Sequence, residues 1–278
     1  MRIALAQQAP VPGDVVANAA AHAATLDEAR AAGARLVVFP ELSLSGYALA
    51  GDGLEAAALP ADAPVLTRLA AAAGAMDALV GFPERAPGGP YNSAAYLSGG
   101  RVAHVQRKTH LPTYSRWDEG RRFGAGDGLR AFPAAGGPAT VLICHDAWHA
   151  VLPFLAALDG ARLLLVPACS GTPGDIEALA HDWGVLLNHH ARFAQVHVVF
   201  ANRVGDEGGA HFWGGSRVLD PFGAVLVQGP RDAPALVLAD LDPAAVERRR
   251  AEIPLLAHAR LDLLAQEFSR LGRDRPGR

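Results

Sequence analysis

The sequence has few cysteines, no long hydrophobic run and no leader-type N-terminus. Only two of its 278 residues are cysteines, Cys144 and Cys169, which cannot form a disulfide framework and are expected to stay reduced. No window of eighteen apolar residues is free of charge and turn formers, so we expect no transmembrane helix. Residues 1–14 carry one basic residue and a short apolar run, which does not fit a secretory signal.

An excess of charge of one sign is also missing. The formal net charge is −3, and the acidic and basic residues are scattered along the chain. This balance gives no electrostatic reason to expect nucleic acid or a membrane surface as a partner. The sequence contains neither a G-x-G-x-x-G motif nor a P-loop, which argues against a nucleotide enzyme. Since 50% of the residues are hydrophobic, we expect a sizeable core. Because neither an export signal nor a transmembrane helix is expected, we predict a cytoplasmic protein.

Apolar runs bounded by Gly and Pro alternate with Ala-rich stretches of helical character. The predicted strands are 2–7, 36–39, 78–82, 92–98, 101–108, 139–145, 162–168, 197–204, two short strands in 216–228, and 235–242. The predicted helices are 15–33, 63–76, 150–160 and 176–196. Residues 109–130 are rich in Gly, Arg and aromatics and predict a long loop, which in a compact domain is often functional. The alternation indicates an α/β protein.

One stretch of sequence occurs twice. Residues 33–46 match residues 160–174 in the pattern G-A-R-L-x-x-x-P-x-x-S, with an offset of 127 residues between Gly33 and Gly160. Each copy runs from a helix-ending glycine through a buried strand into a loop, which predicts two related units about a pseudo-twofold axis. Glu41 in the first copy aligns with Ala168 in the second. The fold therefore accepts alanine at this position, so the presence of a carboxylate at Glu41 is not explained by the fold and suggests another role.

Cys144 is a candidate nucleophile. It ends the predicted strand 139–145, where the chain should turn toward a helix. A thiol at such a turn is exposed enough to react and can face backbone N–H groups. Free cysteine has a pKa near ~8.5, so a reactive thiol needs a base or a cation nearby. The alternative is a buried structural thiol.

Glu41 and Lys108 could supply the base and the cation. Glu41 follows strand 36–39, and an apolar surround would raise the pKa of its carboxyl toward that of a general base. The alternative is a loop carboxylate bonded to the Ser43 or Ser45 region. Lys108 ends strand 101–108, where a lysine is ordinarily a solvated surface charge. A fixed ammonium there could instead stabilise an oxyanion.

All three candidates lie at the C-terminal ends of strands, where strand-built active sites collect their groups. Four stretches of sequence carry further information: Phe39-Pro40-Glu41-Leu42 with Ser45-Gly46-Tyr47; Lys108-Thr109-His110-Leu111-Pro112 with Trp117-Asp118-Glu119 and Arg122-Phe123; Ile143-Cys144-His145-Asp146-Ala147-Trp148; and Ala201-Asn202-Arg203-Val204-Gly205 with Phe212-Trp213-Gly214-Gly215-Ser216 and Asp220-Pro221-Phe222-Gly223. In this order they resemble four motifs of the nitrilase superfamily, the carbon-nitrogen hydrolases. The resemblance covers residues 2 to about 242.

The resemblance implies a four-layer α-β-β-α sandwich and a Glu-Lys-Cys triad at Glu41, Lys108 and Cys144. It also implies that Glu119 orients the lysine and the substrate, the alternative being a loop carboxylate paired with Arg121 or Arg122. Candidate substrate-binding residues are Tyr47, His145, Trp117 and Trp148, with Trp213, His110 and His149 as further pocket candidates. No metal or cofactor is implied.

The same resemblance divides the chain into a carbon-nitrogen hydrolase domain, 1–242, and a C-terminal extension, 243–278. The family commonly forms dimers and larger assemblies in which this segment crosses to a neighbour, so a homo-oligomer is expected. The segment looks helical at first and then frayed and charged at 272–278. Its other interpretation is a solvated surface segment.

Two departures from the family pattern bear on the substrate. Enzymes that hydrolyse nitriles typically have Cys-Trp-Glu, whereas this chain has Cys144-His145-Asp146. Many members also have Pro-Glu a few residues after the cysteine, where this chain has residues 149–153, His-Ala-Val-Leu-Pro. The Cys-x-Asp-x-Trp form resembles the amidase, carbamoylase and glutaminase branches. We therefore expect a small-molecule amide or carbamoyl substrate, released as an acid plus ammonia or an amine.

Other interpretations remain. The chain could be a glutaminase that hands ammonia to a separate synthetase, although no synthetase-like segment follows residue 242. It could also be a binding protein that keeps the fold without turnover. His145 is a weaker candidate for the base. A zinc site at His181, His189 and His190 with Asp182 lacks the usual ligand spacing.

Overall fold

The computed structural model describes residues 1–274 of the chain. Its strands are β1 (Arg2–Gln7), β2 (Leu36–Val38), β3 (Asp77–Ala86), β4 (Gly89–Ser98), β5 (Arg101–Arg107), β6 (Ala139–Val141), β7 (Leu163–Ala168), β8 (Gly171–Thr172), β9 (His197–Asn202), β10 (Val204–Glu207), β11 (Ala210–Trp213), β12 (Arg217–Leu219), β13 (Val225–Gln228) and β14 (Ala235–Asp240). Its α-helices are α1 (Val15–Ala31), α2 (Gly51–Ala57), α3 (Pro64–Ala73), α4 (Glu119–Arg122), α5 (Val151–Leu158), α6 (Ile176–Phe193), α7 (Ala245–Glu252) and α8 (Leu261–Asp274). A 3-10 helix spans Cys144–Trp148.

Two large sheets form the centre of the molecule. One has the strand order β14-β1-β2-β3-β4-β5, and the other has the order β13-β12-β9-β7-β6. Within the first sheet β1, β2 and β3 run parallel, and within the second β6, β7 and β9 run parallel. The helices between these parallel strands therefore lie on the outer faces of the sheets.

Three apolar layers hold these elements together. Residues such as Ile3, Val38 and Val141 fill the space between the two sheets. On one outer face, α1 and α3 pack on the first sheet through residues such as Leu26. On the other, α5 and α6 pack on the second sheet through residues such as Trp183. The result is the four-layer α-β-β-α sandwich that the sequence predicts.

The repeated sequence pattern occupies equivalent places in the two halves. β2 begins at Leu36 and β7 begins at Leu163, which differ by the same 127 residues as the two glycines. Each of these strands is the middle one of three parallel strands in its sheet. The predicted internal pseudo-twofold is therefore present, and it brings Pro40 and Pro167 to corresponding strand ends.

The structure differs from the sequence-based prediction mainly near the site. The strand predicted at 139–145 ends at Val141, because the chain turns into the 3-10 helix at Cys144. The predicted loop 109–130 contains the short helix α4. Helix α2 and the three-stranded sheet β10-β11-β8 were not predicted, since their runs are too short and mixed to show periodicity. The hairpin around Gly99-Gly100 is confirmed, and both glycines adopt positive φ.

The C-terminal segment has two different helices. α7 buries Ala245 and Val246 against the body of the protein, whereas α8 buries none of its residues. The fraying predicted at 272–278 is not seen up to Asp274, where α8 ends, and residues 275–278 lie outside the described part. No helix within residues 1–274 combines the length and the apolar character that a bilayer crossing requires.

Candidate active site

Both large sheets contribute to one buried cluster. Glu41 follows β2 and Lys108 follows β5 in the first sheet, whereas Cys144 follows β6 in the second. Glu41 and Lys108 are almost completely buried, and Cys144 is partly accessible. The sandwich therefore brings together three strand ends that the sequence could only place one by one.

Lys108 lies at the centre of this cluster. Its Nζ is 2.7 Å from Glu41 Oε1 and 2.8 Å from Glu119 Oε1. Burial by itself lowers the pKa of Lys108, but the two carboxylates outweigh it and hold that pKa well above its ordinary value. The ammonium therefore stays charged and fixed in place.

Glu119 connects Lys108 to the wall of the site. Tyr47 donates a hydrogen bond from its hydroxyl to Glu119 Oε1 at 2.6 Å. Burial raises the pKa of Tyr47, so the phenol keeps its proton and remains a donor. Burial also raises the pKa of Glu119, and Lys108 opposes this shift. Within residues 1–274 the second oxygen, Glu119 Oε2, is buried without a hydrogen-bond partner.

Glu41 is held by two residues that the sequence did not single out for the site. Asn92 donates from its side-chain amide to Glu41 Oε1 at 2.7 Å, and the backbone N–H of Cys169 donates to Oε2 at 2.7 Å. The Cys169 thiol also donates to the backbone carbonyl of Glu41, with sulfur and oxygen 3.0 Å apart. A signal for Asn92 could have been found in the sequence, because the register of the predicted hairpin places Asn92 opposite Lys108. In the structure the Lys108 backbone N–H donates to the Asn92 carbonyl oxygen.

Cys144 has a strained backbone. Its φ is +47°, a left-handed conformation that non-glycine residues rarely adopt and that costs about 1–3 kcal/mol. Burial raises the pKa of the thiol, Glu41 raises it further, and Lys108 lowers it. The thiol therefore rests protonated and needs a base to become a nucleophile. In the described part of the chain, the next backbone N–H, that of His145, donates to no backbone carbonyl outside the 3-10 helix.

Asp146 ties the cysteine turn to the lysine loop. Its Oδ1 accepts hydrogen bonds from Thr109 N at 3.0 Å, Thr109 Oγ1 at 2.7 Å and His110 N at 2.8 Å. Its Oδ2 accepts from Ile143 N at 3.1 Å. One buried carboxylate thus fixes the segment after Lys108 against the segment before Cys144.

Three histidines gather beside the cysteine turn. The rings of His110 and His149 stack with centroids 3.6 Å apart, and His145 meets His149 at 5.2 Å and Tyr114 at 5.6 Å. Burial, reinforced by Lys108, lowers the pKa of His145 to about 4, so its ring is neutral at neutral pH. The described residues show no hydrogen bond between His145 and Cys144, which does not favour His145 as the base.

The predicted aromatic residues separate into two groups. Tyr47 and Trp117 meet edge to face at 5.6 Å and line a polar cleft beside Glu119, together with Phe212. Trp148 instead packs edge to face on Trp183 at 5.4 Å, outside that cleft. Trp213 is completely buried in the outer core, so its predicted place in the pocket is wrong.

The histidines of α6 do not form a cluster of metal ligands. His181 and His189 are exposed, whereas His190 is buried and its Nε2 lies 2.7 Å from the carbonyl oxygen of Ala147. Among residues 1–274, no three His, Cys, Asp or Glu side chains are grouped as metal ligands would be. His190 instead holds the 3-10 helix that begins at Cys144.

A family model described as carbon-nitrogen hydrolase matches residues 2–251 of the chain. The chain belongs to the carbon-nitrogen hydrolase family. Within this family it is 36% identical over 265 residues to the glutamine-dependent NAD(+) synthetase of Rhodobacter capsulatus, covering 92% of this chain and 46% of that protein. The chain thus spans less than half the length of that relative.

Two solved structures of family members cover nearly the whole chain. A carbon-nitrogen hydrolase from Helicobacter pylori G27 has a TM-score of 0.86 and 25% identity, covering 96% of this chain and 98% of its own. A variant of the amidase from Nesterenkonia sp. AN1 has a TM-score of 0.78 and 26% identity, covering 96% of each chain. That structure carries the acetamide moiety of fluoroacetamide covalently bound at its active-site cysteine.

Proposed function

We propose that this carbon-nitrogen hydrolase is a cysteine-dependent amidase that converts a small amide or carbamoyl substrate to an acid through a thioester. The observation that carries the proposal is the fully buried Lys108 ammonium, held within 2.8 Å of two carboxylates next to a strained cysteine. A buried ion pair of this kind is expensive to desolvate and is a poor stabiliser, so we assign it to chemistry.

In the proposed first step, Glu41 takes the proton of the Cys144 thiol and the sulfur bonds to the amide carbon. The amide oxygen becomes an oxyanion, stabilised by Lys108 and by the backbone N–H of His145. The carbon–nitrogen bond then breaks, and the proton on Glu41 passes to the departing nitrogen. A thioester remains on Cys144.

In the second half of the reaction, Glu41 removes a proton from a water molecule that attacks the thioester carbon. The carbon–sulfur bond breaks, the acid leaves, and the thiolate regains its proton. Glu119 orients the substrate, because its unpaired Oε2 can accept a hydrogen bond from the amide N–H. Tyr47 and Trp117 form one wall for the substrate, and His145 with its histidine neighbours forms another.

The test is ammonia release from a substrate panel by the wild type and by Cys144→Ala. The panel contains simple amides, ω-amides of dicarboxylic acids, glutamine, N-carbamoyl amino acids and nitriles. We expect release from at least one amide or carbamoyl compound with the wild type only. Equal turnover by Cys144→Ala would contradict the thiol mechanism.

The second candidate is a glutaminase that passes ammonia to a synthetase on another chain. It is favoured by the 36% identity to a relative whose name is glutamine-dependent NAD(+) synthetase, of which this chain spans 46%. Strong preference for glutamine over the other amides in the panel would support this candidate. Poor turnover of glutamine beside good turnover of simple amides would contradict it.

A binding protein without turnover is distinguished by thiol reactivity. Burial raises the pKa of both thiols, but Cys169 is only 3% exposed, whereas Cys144 is partly accessible and lies beside Glu41 and Lys108. An enzyme should therefore be alkylated by iodoacetamide at Cys144 well before Cys169, as mass spectrometry of peptides can measure. Equal or reversed labelling would argue against an activated Cys144.

A further inference from the structure

Arg217 is buried without a negatively charged partner. It lies at the start of β12 with only 7% of its surface exposed. Its Nε donates to the carbonyl oxygen of Gly215 at 3.1 Å, and no ion pair to Arg217 is found within residues 1–274. A guanidinium removed from water in this way is normally paired with an anion.

A second arginine lies beside the first. The guanidinium carbons of Arg217 and Arg231 are 5.6 and 5.9 Å from the centre of the Trp213 ring. Burial, and then the charge of Arg231, lower the pKa of Arg217. Arg231 is exposed and has an ion pair with Glu177, which leaves one positive charge of the two unmatched.

The two arginines line an open groove between α6 and the β12–β13 hairpin. The groove also contains Glu177, the partner of Arg231, together with His181, Gly184, Asn188 and Gln228. Gly184 is a glycine inside a helix, where alanine would be about 1 kcal/mol more favourable. A β-carbon at Gly184 would lie 3.5 Å from Arg217 Nη1, so the missing side chain leaves the guanidinium open to the groove.

The groove is separate from the candidate active site. Within residues 1–274, none of the residues that line the groove forms a hydrogen bond with Glu41, Lys108 or Glu119. Trp213, which lies beneath both guanidinium groups, is buried in the outer core. The positive charge in this groove therefore needs an explanation of its own.

We propose that this groove binds a small oxyanion, a phosphate or a carboxylate, between Arg217 and Arg231. A guanidinium presents two parallel N–H donors that match the two oxygens of either group. The side-chain amide of Gln228 supplies a further donor at the rim, whereas the Asn188 amide already donates to the carbonyl oxygen of Gly223 at 2.7 Å. The anion neutralises the charge that the fold buries at Arg217.

The test is isothermal titration calorimetry of the full chain with inorganic phosphate, glycerol phosphate and acetate at matched ionic strength. We expect saturable binding of at least one of them, and the order of affinity identifies phosphate, phosphate ester or carboxylate as the ligand. Loss of the charged hydrogen bonds in Arg217→Gln should weaken binding roughly tenfold or more. Arg101→Gln, which changes an exposed arginine on β5, should bind like the wild type.

Gly184→Asp provides a second variant in case Arg217→Gln does not fold. Its carboxylate would lie next to Arg217 and take the place of the anion. We expect a higher melting temperature without added anion and no heat of anion binding. A titration with sodium chloride at the same ionic strength is the control for non-specific heat. The proposal is overturned if none of the three anions gives more heat than this control, or if Gly184→Asp binds phosphate as tightly as the wild type.

Discussion

Lys108 illustrates how far burial changes the role of a single residue. A lysine at a strand end is ordinarily a solvated surface charge, yet Lys108 has no exposed surface. Glu41 follows β2, which is separated from β5 by β3 and β4 in the sheet, and Glu119 lies on α4 in the loop that follows β5. The burial of Lys108 between two carboxylates therefore depends on tertiary structure. In the sequence, only the motif around Lys108 indicated it.

We predict that Asp146→Asn lowers the turnover number while leaving the fold intact. Asn offers one acceptor oxygen where Asp146 uses two, so the four hydrogen bonds that join the Lys108 and Cys144 loops cannot all form. A displacement of about 1 Å at a reacting group costs roughly 10²-fold in rate. Steady-state kinetics should show the loss mainly in kcat, with KM changed less.

Thr109→Val is the matched control for that variant. It removes the hydroxyl hydrogen bond to Asp146 at 2.7 Å and the contact of the same hydroxyl with His110 Nδ1 at 2.8 Å, and it leaves the backbone donors to Asp146 in place. Its loss of kcat should be clearly smaller. If both variants kept wild-type kcat, Asp146 would have no positioning role.

The elements that carry the site are fixed by contacts between neighbouring strands and loops. On β3, Gly81 faces the loop that follows β2, where its N–H and carbonyl bond Ser43 and Leu44. A β-carbon at Gly81 would lie 2.4 Å from Leu42 N and 2.5 Å from Pro40 O. Glycine is required there because two backbones pass closer than any side chain allows.

We predict that Gly81→Ala destabilises the protein and impairs the site together. Because the clash is with backbone, the Glu41 loop must move, at a cost of about 1–3 kcal/mol. Urea unfolding should show the lower free energy of unfolding, and kcat should fall as Glu41 moves away from Lys108. Gly53→Ala, in helix α2, places its β-carbon at an ordinary contact distance of 4.0 Å from Leu49 Cδ2 and should leave both quantities near wild type.

At the scale of the whole molecule, the site depends on the packing of two sheets. Glu41, Lys108 and Asn92 belong to the first sheet and its loops, and Cys144 and Cys169 belong to the second. The apolar layer between the sheets sets the distance between the two sets of residues. Conditions that loosen the sandwich should therefore also separate the nucleophile from its base.

We predict that the free energy of unfolding falls as the pH drops from about 6.5 to about 4. Burial lowers the pKa of both His22 and His190 to about 4, from an ordinary value of 6.5. The unfolded chain therefore takes up protons first, and each histidine can remove up to about 3 kcal/mol across that range. Above pH 6.5 both are neutral in either state, and this effect disappears.

Urea unfolding at several pH values measures this dependence. His190→Gln removes one titrating group, so its stability should change less steeply between pH 6.5 and pH 4. His181→Gln, which alters an exposed histidine on the same helix, should follow the wild type. If the free energy of unfolding changed with pH equally in all three proteins, His190 would not contribute to the pH dependence.

We propose that the chain forms a homodimer or larger homo-oligomer in which α8 packs on a second copy. Within the described part of one chain, α8 buries no residue, and an apolar stripe made of Leu261, Leu264, Phe268 and Leu271 follows one face. An amphipathic helix with this pattern normally buries its apolar side. The division of the chain at residue 242 also stays a prediction.

The prediction for α8 is that Phe268→Glu lowers the molar mass measured by light scattering after size-exclusion chromatography. The new charge lies in the apolar stripe and would be desolvated in an interface. Gln266→Glu places the same charge on the opposite face and should keep the wild-type mass. A wild-type chain that elutes as a monomer at all concentrations would contradict the assembly.

The sequence by itself determined the fold class, the internal repeat and the motifs around Glu41, Lys108 and Cys144. These features are local, because apolar periodicity and short motifs need only neighbouring residues. Tertiary structure alone decided which side chains meet. Asn92 and the Cys169 backbone donate hydrogen bonds to Glu41, Trp213 is buried in the core, and Trp148 packs on Trp183 outside the cleft. Contacts between distant strand ends depend on how two sheets pack, and no pattern along the chain encodes that distance.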